Sequence, residues 1–275
     1  RRSPARIMRG RGQEFRLIAT GQAGLSAVSA RSDHAFPRHT HDEFGFGLIV
    51  SGGQISASGR GQVTAGAGDL ITVNPGEVHD GIAVRGEPRA WHMLYLSPER
   101  MADLASGFAA GKPFEFNRPV LAHASLARSF ASAFQRLTAT GAGERHLVSD
   151  ENLLSLFAPL IAAPDRRMPN REHAGLRRVR CLLDDEPAAN PTLERLANEA
   201  GLTRFQLLRA FSAWTGLTPH AYLMQRRAHN ARRLILSGRA LADAAAEAGY
   251  ADQSHMTRDF RRRYGLTPAA FAGSA

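Results

Sequence analysis

The chain of 275 residues reads as α+β in series: an antiparallel β-rich half, a pair of helices, then an all-helical half built on a duplicated unit. Three observations predict this. Short or alternating apolar runs broken by Gly, Pro, Asn and Asp fill residues 15–95, the pattern of a small β-barrel or sandwich. Leu, Phe and Ala then recur at helical spacing through 122–139 and 144–162. Finally, 193–222 and 241–271 match each other, LERLANEAGLTRFQLLRAFSAWTGLTPHAY against LADAAAEAGYADQSHMTRDFRRRYGLTPAAF, with Gly201 and Gly249 offset by 48 and Gly216 and Gly265 by 49.

At the N-terminus, residues 1–14 are Arg-rich and read as a flexible basic tail. The strands expected after it are 44–50, 54–58, 69–73 and 90–96. PRHTHDEFGFG stands at 37–47 and GDLITVNPGEVHDG at 68–81. If 39–43 continues a strand, His39, His41 and Glu43 share one face, and Gly45 and Gly47 leave room beyond them. His79 follows the Pro75-Gly76 turn and approaches the same cavity from a neighbouring strand; Trp91, His92 and Tyr95 lie on a strand that could line it. Past Ser97-Pro98 the pattern turns helical at 98–107, then at the two longer helices joined by TATGAG (138–143), which read as an antiparallel pair. This domain spans 15–165; the polar, Pro-containing stretch that follows supplies a linker at 166–173.

A helix at 174–185 opens the last domain, 174–275. In each repeat, Glu-Ala-Gly ends one helix with a glycine able to take positive φ, and Thr203 or Asp252 caps the next. Leu207, Ala210 and Phe211, and likewise Met256 and Phe260, fall on the inner face. The outer face is left to Arg204, Phe205, Gln206, Leu208 and Arg209 in one copy and to Gln253, Ser254, His255 and Arg258 in the other. GLTP recurs at 216–219 and 265–268, where Gly closes a helix, Thr caps the next and Pro takes its first position. A helix over 219–236 bridges the copies.

Charge agrees with this division. Of the net +10, residues from 171 onward hold 16 Arg against 10 acidic groups, and 1–16 hold 6 Arg against one Glu, while the middle is nearly neutral. A basic excess on the repeat supplies salt-dependent attraction to phosphate. The lone cysteine, Cys181, excludes an intramolecular disulfide, suits a reducing cytoplasm and reads as a small apolar helix residue. The most apolar run, 153–163, is too short to span a membrane.

Helix, tight turn and reading helix in tandem form two helix-turn-helix motifs, whose second helices enter the major groove. With the bridging helix and the repeated GLTP, residues 174–275 resemble the DNA-binding domain of the AraC/XylS family of transcriptional regulators. The 37–47 and 68–81 stretches resemble the paired motifs of the cupin fold, that family's usual effector domain. The resemblance implies a cupin-like antiparallel β-barrel, a cytoplasmic homodimer, a double-stranded DNA operator, a small-molecule effector and RNA polymerase as partners, and activation as the sign. Arg209 and Arg258 are expected on guanine, the outward apolar groups on thymine methyls, and Arg226, Arg227, Arg232, Arg233 and 261–263 on phosphate or solvent. His39, His41, Glu43, His79, Trp91 and Tyr95 are expected to bind effector. Metal-binding cupins place their Glu two or three residues further on than Glu43, so His39, His41 and His79 alone remain as ligands for a divalent metal. Two other readings stay open: a metal-dependent cupin enzyme, and a constitutive DNA-binding protein whose barrel only dimerises.

Overall fold

The computed structural model describes residues 8–10, 13–105, 114–138 and 174–273, with four helical residues between, Leu153, Leu156, Phe157 and Leu160. The 166–173 linker, the turn beyond Thr138 and most of the second helix of the expected pair lie outside the described residues. Contacts divide the chain into an N-terminal unit, 1–35 with 40–167, and a C-terminal unit, 168–273 together with 36–39. The short strand 36–39 is hydrogen-bonded into an N-terminal sheet and is described with it.

Among the described residues the N-terminal unit has eleven strands: β1 (Met8–Gly10), β2 (Gln13–Ala19), β3 (Leu25–Ser32), β4 (Phe36–His39), β5 (Phe44–Ser51), β6 (Gly53–Ser58), β7 (Gly61–Gly66), β8 (Leu70–Val73), β9 (His79–Ala83), β10 (Arg89–Leu96) and β11 (Val120–Leu121). They make a seven-stranded sheet ordered β1-β2-β3-β10-β5-β8-β11 and a four-stranded sheet ordered β4-β9-β6-β7. The 1–14 segment is not all tail, since β1 pairs antiparallel with the start of β2, Met8 opposite Phe15.

The period of two on β10 divides its side chains between two environments. Leu94 and Leu96 join Phe44, Phe46, Leu25 and Ala27 in a core shared with α1 (Pro98–Ala105) and α2 (Ala124–Thr138), where Phe130 and Phe134 are buried, and with Leu153, Leu156 and Phe157. His92 belongs to this face too, stacked on Phe134 at 4.3 Å and 3°, so it does not line the cavity. Trp91, Met93 and Tyr95 point the other way, opposite Ile49, Gly47 and Gly45 of β5.

The room left by Gly45 and Gly47 is already taken. A Cβ on Gly47 would lie 2.0 Å from Met93 Sδ and 2.6 Å from His92 O, and one on Gly45 would lie 3.1 Å from Met93 Cε. These glycines admit the Met93 side chain. Gly47→Ala should therefore cost about 3 kcal/mol in urea unfolding, with only part recovered in the Gly47→Ala/Met93→Ala double variant because the carbonyl contact persists. Full recovery would place the conflict in the thioether alone.

The C-terminal unit is all helical: α3 (Ala174–Asp185), α4 (Leu193–Ala200), α5 (Arg204–Thr215), α6 (Pro219–Leu236), α7 (Leu241–Glu247), α8 (Gln253–Tyr264) and α9 (Pro268–Ala272). The turn chemistry acts as the sequence implies. Gly201, Gly216, Gly249 and Gly265 have φ of 66°, 77°, 84° and 75°. Thr218 and Thr267 accept from Ala221 N and Ala270 N, with proline in the first turn of each helix. Leu207 and Phe211 pack with Leu176, Val179, Leu183, Leu196 and Leu223 into one core. Cys181, read as a small apolar residue, is exposed on α3. Among the described residues no helix is long and apolar enough to cross a membrane.

Candidate effector site and DNA-reading helices

The strand expected to carry His39, His41 and Glu43 on one face ends early. β4 stops at His39 and β5 begins at Phe44, so 40–43 form the connection. His79 opens β9, the neighbour of β4 in its sheet. One nitrogen from each of His39, His41 and His79 lies within 4.8 Å of the others, and Glu43 is not a member of that group. Ring centroids of His41 and His79 are 5.1 Å apart, and Tyr95 lies 5.2 Å from His41.

Hydrogen bonds orient two of the three imidazoles. His39 Nδ1 sits 2.7 Å from Pro37 O and His79 Nδ1 3.1 Å from Glu77 O. A carbonyl only accepts, so each Nδ1 carries a proton. Burial holds the His79 imidazole below the usual histidine value, which favours the neutral ring.

The other expected contacts separate. Trp91 is buried, 5.8 Å edge-on to Phe15, and its ring lies 4.9 Å from the Arg89 guanidinium. Arg89, fully buried and pushed down to about 10 by desolvation, donates to Gln54 Oε1, His34 O and Gly81 O. Sequence reading missed Ser26. It pairs with Tyr95 across β3 and β10, and its hydroxyl is buried without a hydrogen-bond partner among the described residues. The register of a polar residue opposite Tyr95 is the only signal that could have found it.

In the first repeat, Thr203 Oγ1 accepts from Gln206 N while Gln206 Oε1 accepts from Thr203 N, a reciprocal cap that starts α5. Gln206, on the outer face and expected to hydrogen-bond bases or phosphates, commits its side-chain oxygen to this cap and keeps its amide nitrogen as a donor. Arg204 and Arg209 are exposed, Phe205 is 66% exposed, and the Arg209 guanidinium lies 5.6 Å from the Phe205 ring centroid; Leu208 is half-buried. In the second repeat, Asp252 caps α8 through His255 N, and Gln253, Ser254 and Arg258 are exposed. His255 is half-buried, edge-on to Tyr250 at 5.3 Å.

Two arginines expected on phosphate or solvent lie inside. Arg227 donates to Pro187 O, Ala189 O and Asn190 Oδ1. Arg263 donates to Asp259 Oδ2 and Gln225 Oε1, and both residues of the Arg263–Asp259 pair are buried. Arg226 is ion-paired with Asp184 at 3.0 Å.

Comparison with known proteins places both halves. Residues 22–157 match the model of the AraC-like ligand binding domain, and 196–274 match a helix-turn-helix domain. The chain belongs to the AraC family. Two AraC-type regulators show how far the likeness runs. It is 29% identical over 233 residues to the HTH-type transcriptional regulator YbfI of Bacillus subtilis, covering 80% of this chain and 81% of that one. With the transcriptional activator RhaS of Escherichia coli the identity is 26% over 265 residues, 92% of this chain and 93% of RhaS. The crystal structure of ToxT from Vibrio cholerae shares the fold, with a TM-score of 0.59 at 11% identity over 92% of this chain and 98% of that one. As an AraC-family protein the chain is a transcriptional regulator that joins a ligand-binding domain to a helix-turn-helix DNA-binding domain.

Proposed function

We propose that this chain is an effector-gated activator, cytoplasmic and homodimeric, that recruits RNA polymerase and works by binding rather than turnover. A small molecule held by His41, His79, Tyr95 and the Ser26 hydroxyl, with His39 beside them, shifts the balance between states that do and do not engage the operator. The observation that carries the sensing half is the Ser26 hydroxyl opposite Tyr95, buried and without a partner among the described residues. A buried hydroxyl without a partner costs about 1 to 3 kcal/mol, which a hydrogen-bonding ligand would offset.

On the DNA side, Arg204, Phe205, Leu208 and Arg209 of α5 and Gln253, Ser254, His255 and Arg258 of α8 face the operator. Arg209 and Arg258 occupy matching places in the repeat and are exposed. Binding-site selection from a randomised duplex library, followed by affinity measurement, tests the assignment. Arg209→Ala should relax base preference in one half-site and Arg258→Ala in the other, each at about 1 to 3 kcal/mol, whereas Arg261→Ala should weaken binding evenly across sequences. Undiminished discrimination by either variant removes that arginine from base reading.

A second reading concerns a divalent metal. The donor set fits one: one nitrogen from each of the three imidazoles converges to within 4.8 Å of the others, and backbone carbonyls orient the rings of His39 and His79. Zinc, nickel, cobalt or iron(II) suits such a site, and when bound would supply an electrophilic centre for oxygen or nitrogen atoms of an effector. His39, His41 and His79 would hold it; Tyr95 and Ser26 would orient what binds beside it.

A further inference from the structure

The duplicated motifs solve the same packing problem in different ways. From the offset of 49, Asp259 and Arg263 of α8 correspond to Ala210 and Trp214 of α5. Trp214 meets Phe211 edge-on at 6.0 Å and lies 4.9 Å from the Arg180 guanidinium, a contact that resists little rotation. Asp259 and Arg263 instead make directional bonds. Arg263 Nε donates to Asp259 Oδ2 at 2.9 Å, Tyr250 OH donates to the same oxygen at 2.9 Å, and Arg262 donates to Oδ1.

From there the network crosses to the bridging helix. Arg263 Nη1 donates to Gln225 Oε1 at 2.6 Å, and Gln225 is fully buried in α6. Arginine has no acceptor, so Gln225 must turn its oxygen to Arg263 and its amide nitrogen to His229 Nε2, 2.8 Å away. Separately on α6, Arg226 pairs with Asp184 of α3 at 3.0 Å, and Asp184 also accepts from Tyr222 OH at 2.8 Å. Directional bonds thus tie the second reading helix to α6 through Gln225, and a separate ion pair ties α6 to α3.

We propose that Gln225 is a positioning residue for DNA recognition: with Arg263 and Asp259 it sets the angle of α8 on α6 and thereby the spacing accepted between the two half-sites. This rests on the reading that α5 and α8 each engage a half-site. An apolar contact at this point would hold α8 without fixing its rotation, whereas the bidentate use of one buried amide by Arg263 and His229 specifies it.

Binding-site selection with the full chain, repeated on duplexes whose half-sites are moved together or apart by one base pair, tests the proposal. Wild type should bind one spacing and lose about tenfold on the others. Gln225→Met, close in volume, should keep both half-site sequences but bind the three spacings within about twofold of one another. Gln225→Glu retains the acceptor for Arg263 and should keep the wild-type preference, so it serves where the Met variant does not fold. A folded Gln225→Met with the wild-type spacing profile overturns the role of Gln225, as does a Gln225→Glu profile that has lost it. A wild-type chain that selects a single unpaired motif overturns the two-helix reading itself.

Discussion

Asp259→Ala should lower the folding free energy of the C-terminal unit by about 3 to 5 kcal/mol, the cost of leaving a buried cation without its partner. The carboxylate is buried and takes the Arg263 guanidinium on one oxygen together with the Tyr250 hydroxyl. Burial pushes that hydroxyl well above the usual phenol value, with the Asp259 charge adding to the effect, so Tyr250 is a donor at neutral pH. Removing the carboxylate strands two donors at once. The exposed pair Arg178–Glu199, at 3.0 Å on the surface of the same unit, is the control, and Glu199→Ala should cost about 1 kcal/mol or less. Urea unfolding of the full chain, followed by circular dichroism at 222 nm to report on helices, separates the two. Replacing Asp259 and Arg263 together by Leu and Met should recover part of the loss, because the stranded charge leaves with its partner. Equal losses for Asp259→Ala and Glu199→Ala would mean that the buried pair is worth no more than a surface one.

That network marks the limit of what the residues revealed by themselves. The repeat, the glycines with positive φ, the Thr and Asp caps and the bounds of α3 and α6 were legible because each depends on local chain geometry that a residue type settles. The fate of an arginine is not local. Arg261, Arg262 and Arg263 form one run, yet only Arg263 is buried, because it is four residues beyond Asp259 and seven beyond the buried Met256. A charged residue at core spacing, paired at i and i+4, was the available signal. Gln206 is a similar case, since a glutamine three residues after a capping threonine can serve the helix start before it serves DNA.

In the sensing half, the β pattern and the placement of His79 after a Pro-Gly turn were legible, whereas the end of β4 at His39 was not. Alternation predicts which face a side chain takes only while the strand continues. At residues 40–43 it does not, so Glu43 leaves the group that periodicity assigned to it. The glycines of β5 misled for a different reason. Small residues signal that something comes close, without saying whether that is a ligand or, as here, Met93.

His41→Ala should abolish the response to effector while leaving operator affinity in the unliganded state within about twofold of wild type, a change small on the scale of a single base contact. His41 touches both other parts of the site, 5.1 Å from His79 and 5.2 Å from Tyr95 by ring centroids. It also lies in the connection between β4 and β5, so its truncation removes no strand pairing. Two measurements on the purified chain and its reporter separate the accounts of the site. Visible absorption during titration with cobalt(II) should show an intense d–d band for wild type and none for His41→Ala or His79→Ala if the imidazoles hold metal. A reporter driven from the selected operator, assayed across a panel of small metabolites, should lose its inducible expression in His41→Ala whether or not metal is required. Loss of both readouts makes the metal part of the effector site. Loss of induction with no cobalt band in wild type leaves the imidazoles, Tyr95 and Ser26 as direct hydrogen-bonding partners of the effector. An inducible His41→Ala reporter takes His41 out of the site, and with it the link between the His79 side and Tyr95 on which the sensing assignment depends.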